Sequence, residues 1–483
     1  MIIGNTIRLG GGTSSASVSP GDYTGSNDSV WAGLARRTIT TISDPASYVR
    51  SIRPYAFTYC TTLKSAVFPA ASVIGSYAFC SCRSLYSISF PKVVSVGEYA
   101  FYSCSSLQAA IMPDLEEAGS SAFGYCFNMK TLSCPKLTAV RSGAFQACIS
   151  LSSINFPCAS IIGSYAFQGC SGLTSISVPM VQEIGSEAFA YCSMGSISLP
   201  AVTAIGRGAF RSNPNLSAIS LNAVDEIADE LFYACNALTR VDAPAVHSVG
   251  SKAFNYCRSL SSISLPSARI IAASAFAACT SLTTISFPVV NEIGSYAFTG
   301  CSALTTVNIP YARTIEAYAF AGCSQLKEVR FSIVLSVGMA AFQSCTALSQ
   351  AEMPVVKSIP AYIFSGCTAL SQGVFPRAEY VANGAFFGCT NLQTVSIPAA
   401  SWIHFSAFRG CVNLISLYLL GSSLCSLYSA NTVFLSTPIG GYSDVAGRYG
   451  SVFVPASLYS SYVTNTAWRL FSSRIVSVAE GEE

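Results

Sequence analysis

The phenylalanine of an Ala-Phe-x-x-Cys motif recurs along this chain at a nearly constant interval of 22 residues. The phenylalanine is present in 17 copies, of which 14 keep both the Ala before it and the Cys three residues after it, and only the interval from Phe189 to Phe210 differs, at 21 residues. A fixed period of this length is typical of a solenoid, in which each repeat forms one coil and stacks on its neighbours. Such arrays present long binding surfaces and rarely build catalytic pockets. The repeated phenylalanines are Phe57, Phe79, Phe101, Phe123, Phe145, Phe167, Phe189, Phe210, Phe232, Phe254, Phe276, Phe298, Phe320, Phe342, Phe364, Phe386 and Phe408.

The repeat that begins at Phe167 shows how one coil is expected to fold. The segment 173–178 is short, β-branched and followed by Pro179, which predicts a strand that ends where proline has no N–H to donate. Ile184 and Gly185 then predict a turn into the Ala-Phe segment, which we expect to form a helical or 3₁₀ turn. One unit has no core of its own, so its apolar residues must be buried in columns between coils. We therefore predict a repeat solenoid of about 17 coils, built from short parallel β-strands and helical or 3₁₀ turns.

The consensus Leu-x-x-Ile-x-x-Pro…Ile-Gly-x-x-Ala-Phe-x-x-Cys resembles the BspA-like leucine-rich repeat, also called the Treponema pallidum type. The resemblance covers roughly residues 38–420. It implies a right-handed horseshoe or rod built like a β-solenoid. It also implies a non-enzymatic role, because known members act as surface adhesins and coaggregation factors and the family supplies no catalytic residues.

Composition argues against nucleic-acid binding and against enzyme chemistry. Only 10% of residues are charged, the formal net charge is +3, and there is no basic block of the kind that phosphate binding needs. His247 and His404 fall at different offsets in distant repeats, so a Ser-His-Asp or Cys-His arrangement is not expected. The cysteines lack the paired spacing of a metal site. We predict a protein that is not an enzyme and has no catalytic residues, cofactor or metal.

Sixteen of the 20 cysteines lie three residues after a repeated Phe. Such a column indicates either a disulfide or metal ladder, or a structural role for a small, weakly polar side chain that is buried. Side chains within one column should run parallel and not face each other, which favours the structural role. The redox state of the column is left open.

Three parts of the chain differ in how well they follow the repeat. Residues 1–33 are rich in Gly and Ser and carry no repeat, which predicts a tether or attachment segment with the start of a capping helix near Trp31. Residues 34–420 form the predicted leucine-rich repeat solenoid. Residues 421–483 predict a C-terminal cap, with a strand at 452–455 and a short helix after it, and then an acidic tail.

Tyrosine is frequent two residues before the repeated Phe. Tyr55, Tyr77 and Tyr99 occupy this position in three successive coils, and Tyr296 and Tyr318 occupy it in two others. We expect the rings of neighbouring coils to form stacked ladders. Exposed tyrosines anchor interfaces well because they combine a large area with few rotatable bonds. The alternative is that they shield the apolar columns beneath them.

An outward-facing strand column consists mainly of Ser and Asn, and a group of charged residues interrupts it. A local break in a uniform face marks a candidate contact site. The alternative is a solvated cluster of surface ion pairs. The break consists of Lys327, Glu328, Arg330 and Glu352, with Arg240 and Asp242 a few coils away.

These features predict a binding or adhesion protein that presents its repeat surface to a cell-surface protein or glycan. The N-terminus has neither a basic segment nor an apolar run of signal-peptide length, and no stretch is apolar enough to span a membrane. We therefore expect cytoplasmic synthesis without Sec export. Since phage proteins leave the cell by lysis, this favours a phage virion or tail-associated protein that recognises the host, with its N-terminal segment on other virion proteins. The alternatives are a bacterial cell-surface adhesin of the BspA-like type and a purely structural spacer.

Overall fold

The computed structural model describes residues 39–44, 47, 49–441 and 449–479, and the backbone of the strands Ile2–Ile3, Thr6–Arg8 and Asp22–Tyr23. The chain divides into two units, Met1–Ala243 and Pro244–Glu483. Each unit is built from one kind of coil, with a three-residue strand, a two-residue strand and a turn segment around the repeated Phe. Apart from the three N-terminal strands, the expected tether in residues 1–33 lies outside the described residues, as does the tail at 480–483.

Two parallel ladders run from coil to coil in the first unit. Paired strands are in register, so Ile154 lies opposite Ile176 and Ile162 opposite Ile184. The pairing of three-residue strands is interrupted after Ser87–Ser89, Thr131–Ser133 and Ser175–Ser177, and that of two-residue strands after Ala204–Ile205. The N-terminal strand Thr6–Arg8 extends the first ladder by pairing with Thr41–Ser43. The other three-residue strands are Ser65–Val67, Ser87–Ser89, Ala109–Ile111, Thr131–Ser133, Ser153–Asn155, Ser175–Ser177, Ser196–Ser198, Ala218–Ser220 and Arg240–Asp242. The two-residue strands are Asp22–Tyr23, Ser51–Ile52, Val73–Ile74, Ser95–Val96, Glu117–Ala118, Ala139–Val140, Ile161–Ile162, Glu183–Ile184, Ala204–Ile205 and Glu226–Ile227.

The second unit repeats this arrangement, with Ile285 opposite Val307 and Ile271 opposite Ile293. Threonine and serine hydroxyls before the three-residue strands add further bonds between coils, as where Thr305 Oγ1 donates to the Thr283 carbonyl at 3.0 Å. The three-residue strands are Ser262–Ser264, Thr284–Ser286, Thr306–Asn308, Glu328–Arg330, Gln350–Glu352, Gln372–Val374, Thr394–Ser396 and Ser416–Tyr418. The two-residue strands are Ser248–Val249, Ile270–Ile271, Glu292–Ile293, Thr314–Ile315, Ser336–Val337, Ser358–Ile359, Tyr380–Val381, Trp402–Ile403 and Ser426–Leu427. The sequence predicted only the first set, because a two-residue strand is too short to show an alternating pattern.

The C-terminal residues pack helices against the last coils. Trp468 and Tyr462 are fully buried and hold the backbone of Cys425 from two sides. The Trp468 indole N–H donates to the Cys425 carbonyl at 2.6 Å, and the Cys425 N–H donates to the Tyr462 hydroxyl at 3.0 Å. The elements are helix Ala430–Val433, strand Ser451–Pro455, 3₁₀ helix Ala456–Leu458, helix Tyr459–Thr464, 3₁₀ helix Trp468–Arg474 and strand Ile475–Val478.

The turn segment around each repeated Phe supplies a third set of bonds between coils. The Phe276 N–H donates to the Ala297 carbonyl of the next coil at 2.8 Å, and the N–H groups two residues before and after it do the same. The N–H groups in between bond three residues back within the coil, as from Ala277 to Ser274 at 3.1 Å. The bonding is therefore of the predicted 3₁₀ kind, but no helix develops. A left-handed residue breaks the turn two positions before and two positions after each repeated Phe, with φ between +51° and +78°.

Only nine of these 34 left-handed residues are glycine, so the fold accepts backbone strain at the other 25. An L-residue in this conformation costs about 1–2 kcal/mol. Ala278 (φ +58°) and Gly300 (φ +72°) occupy the same position in neighbouring coils. A Cβ atom added to Gly300 would come no closer than 3.9 Å to another residue, so only the backbone would resist it.

Exchanging these two residues is expected to change stability in opposite directions. Ala278→Gly should raise the free energy of unfolding by about 0.5–1 kcal/mol, because relief of strain exceeds the entropy lost by glycine. Gly300→Ala should lower it by a similar amount. Urea denaturation of both variants measures the effect, and Ala275→Gly, in the buried column beside them, should destabilise. A loss of stability in Ala278→Gly would contradict the assignment of strain.

The repeated phenylalanines form the centre of each unit. Their rings are buried and stack on the rings of adjacent coils, with centroids 5.1–6.1 Å apart in the first unit and 4.9–5.9 Å apart in the second. The last ring of the second stack is Phe434, 5.7 Å from Phe408. Phe434 was not among the phenylalanines predicted to repeat, because it follows Phe408 by 26 residues and valine replaces the alanine before it.

The cysteine column is structural and has a defined partner. All 20 thiols are free, and Cys158 alone among them is exposed. The buried column thiols donate to the carbonyl of the repeated Phe in the preceding coil, with S···O distances of 3.0–3.3 Å. Asn213, which replaces one of these cysteines, donates to the equivalent Phe189 carbonyl at 2.8 Å. The position therefore requires a small hydrogen-bond donor, and cysteine satisfies this with little polarity.

Candidate functional site

The two predicted tyrosine ladders are present as stacked rings. In the first unit Tyr55, Tyr77 and Tyr99 stack at centroid distances of 5.0 and 4.9 Å, with their planes within 13° of parallel. In the second unit Tyr296 and Tyr318 stack at 4.8 Å and 4°. All five are left-handed residues, a conformation that the sequence did not reveal.

Stacking determines what these tyrosines can offer to a partner. Each ring between two others has both faces covered, so Tyr77 is half-buried and presents mainly its edge and hydroxyl. Burial raises the pKa of the Tyr77 hydroxyl, and the neighbouring hydroxyls of Tyr99 and Tyr55 raise it further. The ladder therefore presents a row of hydroxyl donors and acceptors. It has few open ring faces, and both expected roles, shielding and contact, remain compatible with it.

The charged break forms a connected cluster on the three-residue strands of the second unit. Arg330 Nη2 lies 3.1 Å from Glu328 Oε2 and 3.3 Å from Gln350 Oε1. Arg330 Nη1 lies 3.9 Å from Glu352 Oε1, on the strand that pairs with its own. The three charged side chains are each more than half exposed, so their ion pairs add little stability. They place the guanidinium on an open surface.

A depression of about 300 Å³ opens beside this cluster. Gln350, Glu352 and Met353 line one part of it, and Gln372 and Val374 line another. The sequence analysis omitted Val374, which is exposed in the column where Ser predominates. The strand face formed by Glu328, Arg330, Gln350, Glu352, Gln372 and Val374 is called the Arg330 face below.

Two other predicted charged residues lie in the first unit, and Lys327 lies next to the Arg330 face. Arg240 and Asp242 pair with each other at 3.0 Å along one strand. Lys327 is exposed, and its carbonyl accepts a bond from the Ser349 hydroxyl at 3.1 Å. The Arg240–Asp242 pair occupies the same two strand positions as Glu328 and Arg330 do in their coil, which makes it a matched control for that face.

A polar network in the first unit was not predicted. Gln146 donates to Gln168 at 2.6 Å, and Gln168 donates to Glu187 at 2.7 Å. Arg211 bonds Glu230 at 2.9 Å and lies over two tyrosine rings, at 5.6 Å from Tyr191 and 5.3 Å from Tyr233. In the sequence, this network is indicated by Gln, Glu and Arg residues that lie on either side of the repeated Phe in successive coils. Apart from the buried Nε of Arg211, which has no hydrogen-bond partner among the described residues, these contacts are satisfied within the chain and leave few groups for a ligand.

Metal and membrane functions find no support in the described part of the chain. Within it, no three His, Cys, Asp or Glu side chains are grouped closely enough to hold a metal ion. None of its helices has the length and apolar character needed to cross a bilayer.

The 22-residue coil, its stacked Phe column and its Cys donors are features of a known repeat type. Residues 50–161, 138–260, 247–371 and 357–431 match the BspA type leucine rich repeat region. The chain belongs to this family. BspA-type leucine-rich repeat proteins are generally binding proteins without catalytic activity.

Several solved structures of leucine-rich repeat proteins are similar to this chain. A leucine-rich repeat protein from Bacteroides ovatus is 27% identical, with a TM-score of 0.50, over 64% of this chain and 83% of that one. A leucine rich cell surface protein from Faecalibacterium prausnitzii is 22% identical over 74% and 88%, with a TM-score of 0.35. The T. pallidum leucine rich repeat protein is 23% identical over 44% and 82%, with a TM-score of 0.26. A search of curated proteins finds no match.

Proposed function

We propose that this BspA-type protein binds a protein partner at a bacterial cell surface through the Arg330 face. The observation that carries the proposal is the change in residue type along the outward column of the three-residue strands at this face. Most of the column is Ser or Asn, but here it becomes an exposed arginine that contacts acidic and amide side chains beside a depression. Arginine is enriched among the residues that dominate protein–protein binding, particularly where its guanidinium is held in place before binding.

The mixed chemistry of the Arg330 face favours a protein over an anionic polymer. Arg330 is balanced by Glu328 and Glu352, so the face does not attract one sign of charge. Val374, which is 50% exposed, adds apolar area, and Gln350 and Gln372 supply amide donors and acceptors. Interfaces between proteins combine such an apolar centre with a polar rim.

Of the two origins considered, the bacterial adhesin has the better support. The similarity to the Bacteroides ovatus protein links this chain to a bacterial repeat protein, and nothing in the comparisons points to a phage virion. Probing purified phage particles and intact bacteria with an antibody to the chain tests the choice. The adhesin predicts a signal on the cells and none on the particles.

Replacing Tyr296, Tyr318, Arg330 and Glu352 together by alanine is expected to abolish most binding of the labelled chain to intact cells. The loss should be at least about tenfold, since it removes the ordered arginine and the tyrosine ladder of the same unit. Flow cytometry measures binding to epithelial cells and to bacteria. The melting temperature should stay within a few degrees of the parent, because these side chains lie largely outside the core.

The matched control is the double variant Arg240→Ala, Asp242→Ala, which removes a surface ion pair from equivalent strand positions. It should bind cells as the parent does. Parent-like binding by the fourfold variant would instead identify the array as a structural spacer.

A further inference from the structure

The last coils of the second unit carry an exposed group of aromatic side chains that the repeat does not explain. The outward position of the two-residue strand is aromatic at Tyr380 and Trp402, whereas the other coils have Ser, Thr, Glu, Ala, Val or Ile there. These two strands pair in register, with Tyr380 opposite Trp402. His404, Phe405 and Tyr428 lie beside them. These five side chains are called the aromatic patch.

The rings of the aromatic patch are partly open to solvent. His404 stacks on Tyr428 at 4.2 Å, but Phe405 is tilted by 52° to His404 and by 48° to Tyr428. Exposure is 39% for Tyr380, 49% for Trp402, 37% for Phe405 and 63% for Tyr428. Ser426, the residue opposite Trp402 in the next strand, is too small to cover the indole. Ring faces are therefore available to a ligand.

We propose that the aromatic patch binds a neutral oligosaccharide, with pyranose rings lying on the faces of Trp402 and Tyr428. The face of an aromatic ring carries partial negative charge and attracts the polarised C–H groups on the flat side of a sugar. The five side chains include no carboxylate, ammonium or guanidinium group, which favours a neutral ligand over an anionic one. The phenol and imidazole groups supply hydrogen-bond partners for sugar hydroxyls.

The size of the patch argues against a protein or a second copy as occupant. Its exposed area is on the order of 400 Å², judged from the usual size of aromatic side chains. A stable protein interface takes about 800 Å² from each partner. Two or three sugar rings fit the smaller area. The aromatic patch lies on and beside two-residue strands, whereas the Arg330 face lies on three-residue strands. The sugar proposal is therefore independent of the protein partner proposed for the Arg330 face.

The test titrates the full chain with neutral hexasaccharides of glucose, galactose and mannose, and with a sialylated oligosaccharide. Calorimetry measures binding, and the emission of the exposed Trp402 reports on the patch itself. We expect at least one neutral hexasaccharide to bind, Trp402→Ala and Tyr428→Ala to weaken it about tenfold or more, and Trp402→Phe to retain most of the affinity. The variant Tyr311→Ala removes an exposed tyrosine elsewhere in the same unit and should bind the sugar normally.

Several results would overturn the proposal. One is that no neutral hexasaccharide binds at millimolar concentration, and another is that Trp402→Ala binds it as tightly as the parent. A third is that Trp402→Ala abolishes self-association or binding to a protein while no sugar binds, which would identify a different occupant. If the Arg330 variants bind cells as the parent does, the result for sugar binding by the aromatic patch is unaffected. The two proposals are therefore tested separately.

Discussion

Raising the pH from about 8.5 to about 9.5 in a reducing buffer is expected to lower the free energy of unfolding steeply. Burial raises the pKa of twelve of the column thiols, to about 12 for Cys235, Cys301 and Cys345, whereas a thiol in the unfolded chain ionises near pH 8.5. Because the pKa of these thiols is higher in the folded than in the unfolded chain, their contribution to the free energy of unfolding is complete below about pH 8.5. It is then lost as the pH rises toward about 12.

The size of this effect follows from the number of buried thiols. Each one lowers the free energy of unfolding by about 1.4 kcal/mol per pH unit within the window, so a dozen together contribute on the order of 10 kcal/mol per unit. Urea denaturation at several pH values below 10, where most Lys and Tyr side chains have not yet titrated, isolates the thiols. The triple variant Cys235→Ser, Cys301→Ser, Cys345→Ser keeps a donor for each Phe carbonyl but removes three titrating groups. For this variant, the slope of the free energy of unfolding against pH should correspond to nearly three fewer protons than for the parent. A slope equal to that of the parent would contradict the explanation.

Phe276→Ala is expected to lower the free energy of unfolding by about 3–5 kcal/mol. The Phe276 ring is fully buried between Phe254 at 4.9 Å and Phe298 at 5.2 Å, with Phe287 at 6.1 Å. Alanine would leave a cavity that the adjacent coils cannot fill, because three sets of backbone hydrogen bonds fix their spacing. Thermal and urea denaturation measure the loss.

The control for this variant is Tyr311→Ala in the same unit. Tyr311 is as large as Phe276 but largely exposed, so its loss should change stability by about 0.5 kcal/mol or less. A Phe276→Ala protein that unfolds at the parent's urea midpoint would show that the stacked column is not the core.

The period of 22 was sufficient to predict the solenoid, because the columns at Phe57, Phe79 and their successors have only one way to be buried together. The second strand ladder and the left-handed residues could not be predicted in the same way. Tyr55 and Glu187 occupy a position that glycine would favour, so the usual sequence signal for positive φ is absent. There the hydrogen bonds between coils, and not local propensity, determine the backbone.

The candidate surfaces were predicted unevenly for a related reason. Stacking of Tyr296 on Tyr318 follows directly from equal positions in adjacent coils. The contacts of Arg330 also required its strand register with Glu352, and the aromatic patch required the pairing of Tyr380 with Trp402. Phe405 and Tyr428 occupy unrelated positions in the sequence pattern, and only the turn after each strand brings them together.

The cysteine column also imposes an order of events on the newly made chain. Each thiol is sheltered only when its coil stacks on the preceding one and finds the Phe carbonyl there, as Cys301 does with Phe276. Until then the thiols are free to react with oxidants or to pair wrongly with each other, and the outside of a bacterial cell is the environment where such pairing occurs. For export to the cell surface proposed above, coil stacking would therefore have to be faster than thiol oxidation. Once the array is complete, Cys158 is the exposed thiol still open to attack.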